Sequence, residues 1–320
     1  MTRPTLQDIY RARSLLAGYM SPTPLHHYPG LDAFTGAETY VKHENHTRTG
    51  AFKIRGALNT MSLLTPEQKE RGVVVSSSGN FGQGMAYAGR IFGAKVVVVM
   101  PESPNPSKVE AIEAFGAEVV LSDTVYDADP AAIRSIIEER GCQYVSDSTD
   151  HRFMAGSGTI MLEILDRLPD VDVVIFPVGG GGLASGVSIA AKALKPDTQV
   201  IAVCSAQAAS PYLSWKKGEL VDSSMTTFAE GIGVKVTYEL PFRIMCDLLD
   251  DFVAVDDDEI RRAIVLLLEK THNLAEGAGA APLAAALKLG ERLRDKKVVL
   301  IQSGGNASVE ELKASLGAAQ

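Results

Sequence analysis

The chain reads as an α/β protein of two open parallel sheets, and three features of the sequence predict it. Short runs rich in Val, Ile and Leu alternate with helix-like stretches almost throughout. These runs are continuously apolar rather than alternating, as strands buried on both faces are. They also fall into two series, one over about 70–150 and one over about 151–320, so two compact sets share one chain.

In the first series Val73-Val74-Val75-Ser76-Ser77 is the opening strand, and 83–92 behind it is helix-like. A strand at 95–100 precedes a helix at 107–115, a strand at 118–121 precedes a helix at 130–140, and 143–146 closes the group. In the second series 171–178, 199–204, 252–255 and 297–302 are the strands, with helices between. Such alternation makes βαβ units, whose crossovers impose a parallel sheet. The segment before residue 70 has to join one of the two sets. Within it Lys53 follows a turn of small residues and an aromatic ring, and it opens a helical pattern of Ile54, Ala57, Leu58, Met61 and Leu64. The stripe Ile260, Ile264, Leu267 and Leu268 is the core face of a helix.

Composition narrows the function. A chain of 320 residues, 46% hydrophobic and 22% charged, has the make-up of an ordinary globular protein with a large core. Its net charge of -8 argues against nucleic acid or an anionic membrane as partner. Cys142, Cys204 and Cys246 are odd in number and unpaired in spacing, so neither a disulfide framework nor a zinc site is indicated. The N-terminus lacks a hydrophobic signal core and no apolar run reaches membrane-spanning length, so a cytoplasmic location is expected.

Several stretches carry chemistry. A lysine on the inner side of a helix start is partly desolvated, which favours the neutral amine and permits Schiff-base formation with a carbonyl. The plainer reading of Lys53 is a solvated surface charge. Gly179, Gly180, Gly181 and Gly182 follow the strand and open a helix over 184–194. Four glycines let the backbone close around a phosphate and aim N–H groups at it, with the helix N-terminus adding positive charge. Neither GxGxxG nor GK[ST] follows, so a small phosphate monoester suits this turn better than a dinucleotide; a tight strand–helix turn is the alternative. Ser76-Ser77-Ser78-Gly79-Asn80-Phe81-Gly82-Gln83 ends the first strand, where parallel sheets bind ligands, and its hydroxyls, amide and N–H groups suit a carboxylate. An elaborate helix cap would use the same residues. Ser303-Gly304-Gly305-Asn306 stands at the end of the last strand in the same way, and Glu276 precedes the close-packing Gly277-Ala278-Gly279. His43 and His46 resemble a metal pair, but no third ligand accompanies them, and packing or surface roles are the reading taken. The acids at Asp247, Asp250, Asp251 and 256–259 read as a solvated strand flank and helix N-terminal acids rather than a cation site.

TGAFKIRGA at 49–57, SSSGNFGQG at 76–84, GGGGLASG at 179–186 and SGGN at 303–306, in that order, resemble the fold-type II pyridoxal-phosphate enzymes, in particular the serine/threonine dehydratase and serine racemase branch. The resemblance covers nearly the whole chain. It implies a tryptophan synthase β-like fold, with a large domain of 1–70 and 151–320, a small domain of 71–150 and pyridoxal 5′-phosphate in the cleft between them. It further implies that Lys53 carries the cofactor as a Schiff base beside Phe52, that Asn80 meets the ring's phenolic oxygen, that Gly179, Gly180, Gly181 and Gly182 hold the phosphate, and that Ser303 meets the pyridine nitrogen. Ser77, Ser78, Gly79, Asn80 and Phe81 would bind the substrate, with Ser78 a second acid/base opposite Lys53. The implied reaction is β-elimination from threonine, serine or a similar β-hydroxy-α-amino acid to a 2-oxo acid and ammonia; serine-type racemisation is the alternative. A serine at the pyridine nitrogen, unable to keep it protonated, favours prompt loss of the β-hydroxyl over transamination. A homodimer is the implied assembly.

The chain departs from relatives at Phe81, where many have His, and at Ser157, where Gln is usual. The divalent-cation site of racemase-like members uses an acid where this chain has Cys204-Ser205-Ala206-Gln207, so no metal is expected. The chain ends soon after SGGN, without the regulatory domain of feedback-inhibited threonine dehydratases, which suggests a catabolic or specialised enzyme.

Overall fold

The computed structural model describes residues 2–77, 79–102, 106–122 and 130–318. Among these the strands are β1 (Leu25–His27), β2 (Glu38–His43), β3 (Val73–Ser76), β4 (Val96–Pro101), β5 (Glu118–Ser122), β6 (Gln143–Tyr144), β7 (Val173–Pro177), β8 (Gln199–Ser205), β9 (Asp251–Val255) and β10 (Lys297–Gln302). They form a six-stranded sheet in the order β1-β2-β10-β7-β8-β9 and a four-stranded sheet in the order β5-β4-β3-β6. All pairings are parallel except β1 with β2, where a short connection returns the chain beside itself. The two sheets expected from the apolar runs are therefore present, and the N-terminal strand β2 pairs with β10 of the later series. Val73, Val74 and Val75 are fully buried, as a strand covered on both faces requires.

The helix Lys53–Ser62 differs from expectation in one respect. The sequence pattern gives it one apolar face, yet Arg55, Gly56, Asn59 and Thr60 are buried as well. It is enclosed by the helices Asn80–Phe92 and His151–Arg167. Glycines permit that closeness: a Cβ at Gly56 would meet the Phe153 ring at 2.3 Å, and one at Gly156 would meet the Arg55 carbonyl oxygen at 2.5 Å.

Enclosure puts Arg55, 1% exposed, into a buried charge network that the sequence reading does not anticipate. Its Nε donates to Glu44 Oε2 at 2.7 Å, Nη1 to Glu163 Oε1 at 2.6 Å and to Thr159 Oγ1 at 3.1 Å, and Nη2 to Glu44 Oε1 at 2.9 Å. Lys42 Nζ donates to Glu163 Oε2 at 2.5 Å and to the Thr23 carbonyl at 2.7 Å. Two cations thus meet two carboxylates with most of their hydrogen-bonding capacity used, the condition under which buried charge is tolerated. The network ties the lysine helix to β2 and to the helix His151–Arg167.

The surface acids have structural work. Asp256 caps the helix Asp257–Thr271 through a reciprocal box with Glu259. Asp250 pairs with Lys192 and Asp251 with Arg292. Glu44 serves Arg55, and His43 is buried with Nε2 2.8 Å from the Tyr28 hydroxyl. Among the described residues no group of three His, Cys, Asp or Glu side chains is placed to hold a metal ion, and no helix is long and apolar enough to cross a membrane. Cys142, Cys204 and Cys246 are free, and burial pushes the Cys204 thiol up to about 12.

Candidate active site

The carboxyl ends of β3, β4, β5 and β6 face those of the larger sheet across a cavity of about 360 Å³. Lys53, Ser77, Gly79, Asn80, Phe81 and Gly180 all line it. Residues far apart in sequence but expected to act together are thus brought to one cleft, where open α/β sheets bind ligands.

Lys53 begins its helix after Gly50, whose φ of +68° places the turn in the left-handed region that glycine tolerates. The segment is laced to the C-terminal loop: the Phe52 N–H donates to the Ser303 carbonyl at 2.9 Å, Gly305 N to the Gly50 carbonyl at 2.9 Å, and Ala51 bridges Gly304. The Lys53 side chain is 18% exposed, and its Nζ forms an ion pair with Asp147 Oδ2. Rings of Phe52, Phe153 and Phe81 stand 5.1, 5.7 and 5.9 Å from that nitrogen. Three aromatic rings thus stand within 6 Å of the amine, and the carboxylate beside it was not anticipated.

Phe81 is 4% exposed and packs edge-on against Phe153 at 5.3 Å between centroids. Its ring therefore also belongs to the wall beneath Lys53. Ser77 Oγ accepts from Gly79 N at 3.1 Å and Gly82 N at 2.9 Å, which caps the helix Asn80–Phe92 and starts it three residues before the expected 83. Ser78 lies outside the described residues.

Asn80 is held at both ends of its amide. Nδ2 donates to Glu276 Oε1 at 2.7 Å, and Oδ1 accepts from Asn306 Nδ2 at 2.7 Å. Burial raises the Glu276 carboxyl above the usual carboxylate range, opposed by the Asn80 hydrogen bond. Ser303 is 3% exposed, and of the expected residues Phe52, Gly179, Gly181, Gly182 and Ser303 are not among those that line the cavity.

The four glycines form the N-terminus of the helix Gly182–Leu194. Gly181 has a φ of +92°, and among the described residues no side chain caps the helix. A Cβ at Gly180 would fall 1.8 Å from Ser148 Oγ, and one at Gly182 would fall 2.0 Å from the Asp147 carbonyl oxygen. Side chains are excluded from this turn, and its first N–H groups have no side-chain acceptor among the described residues. That is a cradle for a small phosphate ester, with the lysine amine and an amide in the same cleft. These residues fit pyridoxal 5′-phosphate.

Residues 16–304 match the family described as pyridoxal-phosphate dependent enzyme. The chain belongs to that family. This pyridoxal-phosphate enzyme is 42% identical to the L-threonine ammonia-lyase of Thermotoga maritima, over 95% of this chain and 76% of that one. It is 38% identical to the catabolic L-threonine dehydratase TdcB of Escherichia coli, over 98% of this chain and 96% of that one. Among solved structures, maize serine racemase superposes with a TM-score of 0.93 at 31% identity, covering 99% of this chain and 98% of that one.

Sequence reasoning missed Asp147, Ser148, Lys108 and Glu311, all of which line the cleft. Asp147 and Ser148 follow β6 just as Ser77 follows β3, so the rule that ligands gather at strand carboxyl ends would have found them. Lys108 and Glu311 lie on helices, where a charged residue carries no such signal.

Proposed function

We propose that this protein is an ammonia-lyase that dehydrates threonine, serine or a related β-hydroxy-α-amino acid to a 2-oxo acid and ammonia. The observation that carries the reading is one cleft lined by Lys53, Asn80 and Gly180 of the glycine turn, in a chain similar to two threonine-deaminating enzymes. Residues 1–70 with 151–320 would form the larger domain around the six-stranded sheet, and 71–150 the smaller.

In this reading Lys53 anchors the cofactor, Gly179 to Gly182 take its phosphate, Asn80 and Ser303 meet its ring, and Phe52 packs beside it. When bound, pyridoxal 5′-phosphate supplies the electron sink that makes an amino acid's Cα–H acidic. The Lys53 amine then removes that proton as general base. Glu276 and Asn306 hold the Asn80 amide in one orientation, and Phe52, Phe81 and Phe153 give the amine apolar neighbours. N–H groups at the start of the helix Asn80–Phe92 receive the substrate carboxylate.

The test is 2-oxo acid release over a panel of D- and L-β-hydroxy amino acids, with chiral analysis of recovered substrate. Release from the L-substrates supports the reading. Inverted substrate without 2-oxo acid would favour racemisation, which the likeness to maize serine racemase makes the second reading. The purified protein is expected to be yellow, and Lys53→Ala to lose both the colour and about 10²–10⁴-fold or more of turnover.

A further inference from the structure

We propose that Asp147 is the acid that protonates the departing β-hydroxyl, taking its proton from Lys53 at each turnover; this rests on the ammonia-lyase reading above. The position of Asp147 is fixed by its own turn. Ser146 Oγ accepts from Ser148 N at 3.2 Å and Thr149 N at 3.3 Å, and the Ser146 carbonyl accepts from Asp150 N at 3.2 Å. The glycine turn packs onto its backbone so closely that a Cβ at Gly182 would have no room beside the Asp147 carbonyl oxygen. Its carboxylate is shared between two groups: Oδ2 holds Lys53 Nζ, and Oδ1 accepts from Ser148 Oγ at 2.9 Å.

The other carboxyls of the cleft are engaged elsewhere. Glu276 Oε1 accepts from Asn80, Glu311 Oε1 accepts from Gly277 N at 2.8 Å, and Glu230 pairs with Lys108. Among the described residues Asp147 is the carboxylate in ion-pair contact with the amine that collects the substrate's proton.

The proton balance closes without a further reactant. Lys53 Nζ takes the Cα proton, and the Cα–H electron pair becomes the Cα–Cβ π bond as the Cβ–O pair leaves with oxygen. The ammonium passes one proton to Asp147 Oδ2. That proton moves to the leaving oxygen, water departs, and the carboxylate and free amine are restored. Hydroxide is a poor leaving group, and a positioned acid is worth about 10²–10⁴-fold in rate. Chloride needs no such proton.

The experiment compares wild type with Asp147→Asn, both loaded with cofactor, on L-threonine and on β-chloro-L-alanine. The variant is expected to keep the visible absorbance of the bound cofactor and to lose about 10²–10⁴-fold on threonine, but less than about fivefold on the chloride substrate. In the full chain stripped of cofactor, an amine-directed reagent is expected to label Lys53 about fivefold faster or more in the variant, because the ammonium has lost its carboxylate partner. Equal losses on both substrates, no loss on threonine, or an unchanged labelling rate would each overturn the proposal. A wild-type chain inert toward both substrates would overturn the ammonia-lyase reading, and this proposal with it.

Discussion

Glu276 gives the cleft a carboxyl whose ionisation the fold resists. Burial raises it above the usual range, so the folded chain binds this proton more tightly than the unfolded chain does. The stability it contributes is complete below the ordinary glutamate range and is lost as pH rises through the folded value. Glu276→Gln keeps an acceptor for Asn80 without a charge to bury. It is expected to melt about 2–4 °C above wild type at pH 8 and no higher at pH 4. His43 behaves with the opposite sign. Burial pushes its imidazole from 6.5 down to about 4, so the unfolded chain binds a proton that the folded chain refuses. Its contribution is complete above about 6.5 and fades as pH falls toward 4, on the order of 3 kcal/mol in all. Denaturant midpoints between pH 7 and pH 4.5 should fall less steeply in His43→Gln than in wild type.

At the scale of elements, the buried network around Arg55 sets where the lysine helix lies. Arg55→Met leaves Glu44 and Glu163 with Lys42 as their cation among the described residues, and removing one partner from such a cluster costs about 3–5 kcal/mol. The measurement is the urea midpoint; a change below about 1 kcal/mol would mean that the carboxylates find water instead. The strand–helix order and the glycine turn were legible because they depend on local pattern: Val73 to Val75 and Gly179 to Gly182 declare themselves within a few residues. Arg55 and Asp147 were not, because each takes its meaning from partners about a hundred residues away, Glu163 and Lys53. An arginine two positions after the expected lysine looks like ordinary helix surface until a second helix covers it. Phe81 was legible as an apolar replacement, but its packing on Phe153 depends on glycines in other helices.

For the molecule as a whole, Lys108 and Glu230 join the smaller sheet's side of the cleft to the larger one across its mouth. Glu230 is 57% exposed, so the pair adds only about 0–1 kcal/mol to stability. Lys108 Nζ also lies 3.3 Å from where a Gly79 Cβ would stand, above the loop proposed to take the substrate carboxylate. Lys108→Met is therefore expected to shift melting by less than about 2 °C while raising KM about tenfold at nearly constant kcat. A large thermal shift with unchanged KM would assign the pair to stability alone. The strand order carries a further consequence, for biosynthesis. β10, the latest in chain order of the described strands, lies between β2 and β7, so a nascent chain cannot knit its larger sheet until residue 302 has emerged. Until then β2 and β7 each present an unpaired edge, open to chaperones or to neighbouring chains on the same messenger. Capture of the cofactor therefore waits for the loop that follows β10, because the Ser303 carbonyl in it braces Phe52.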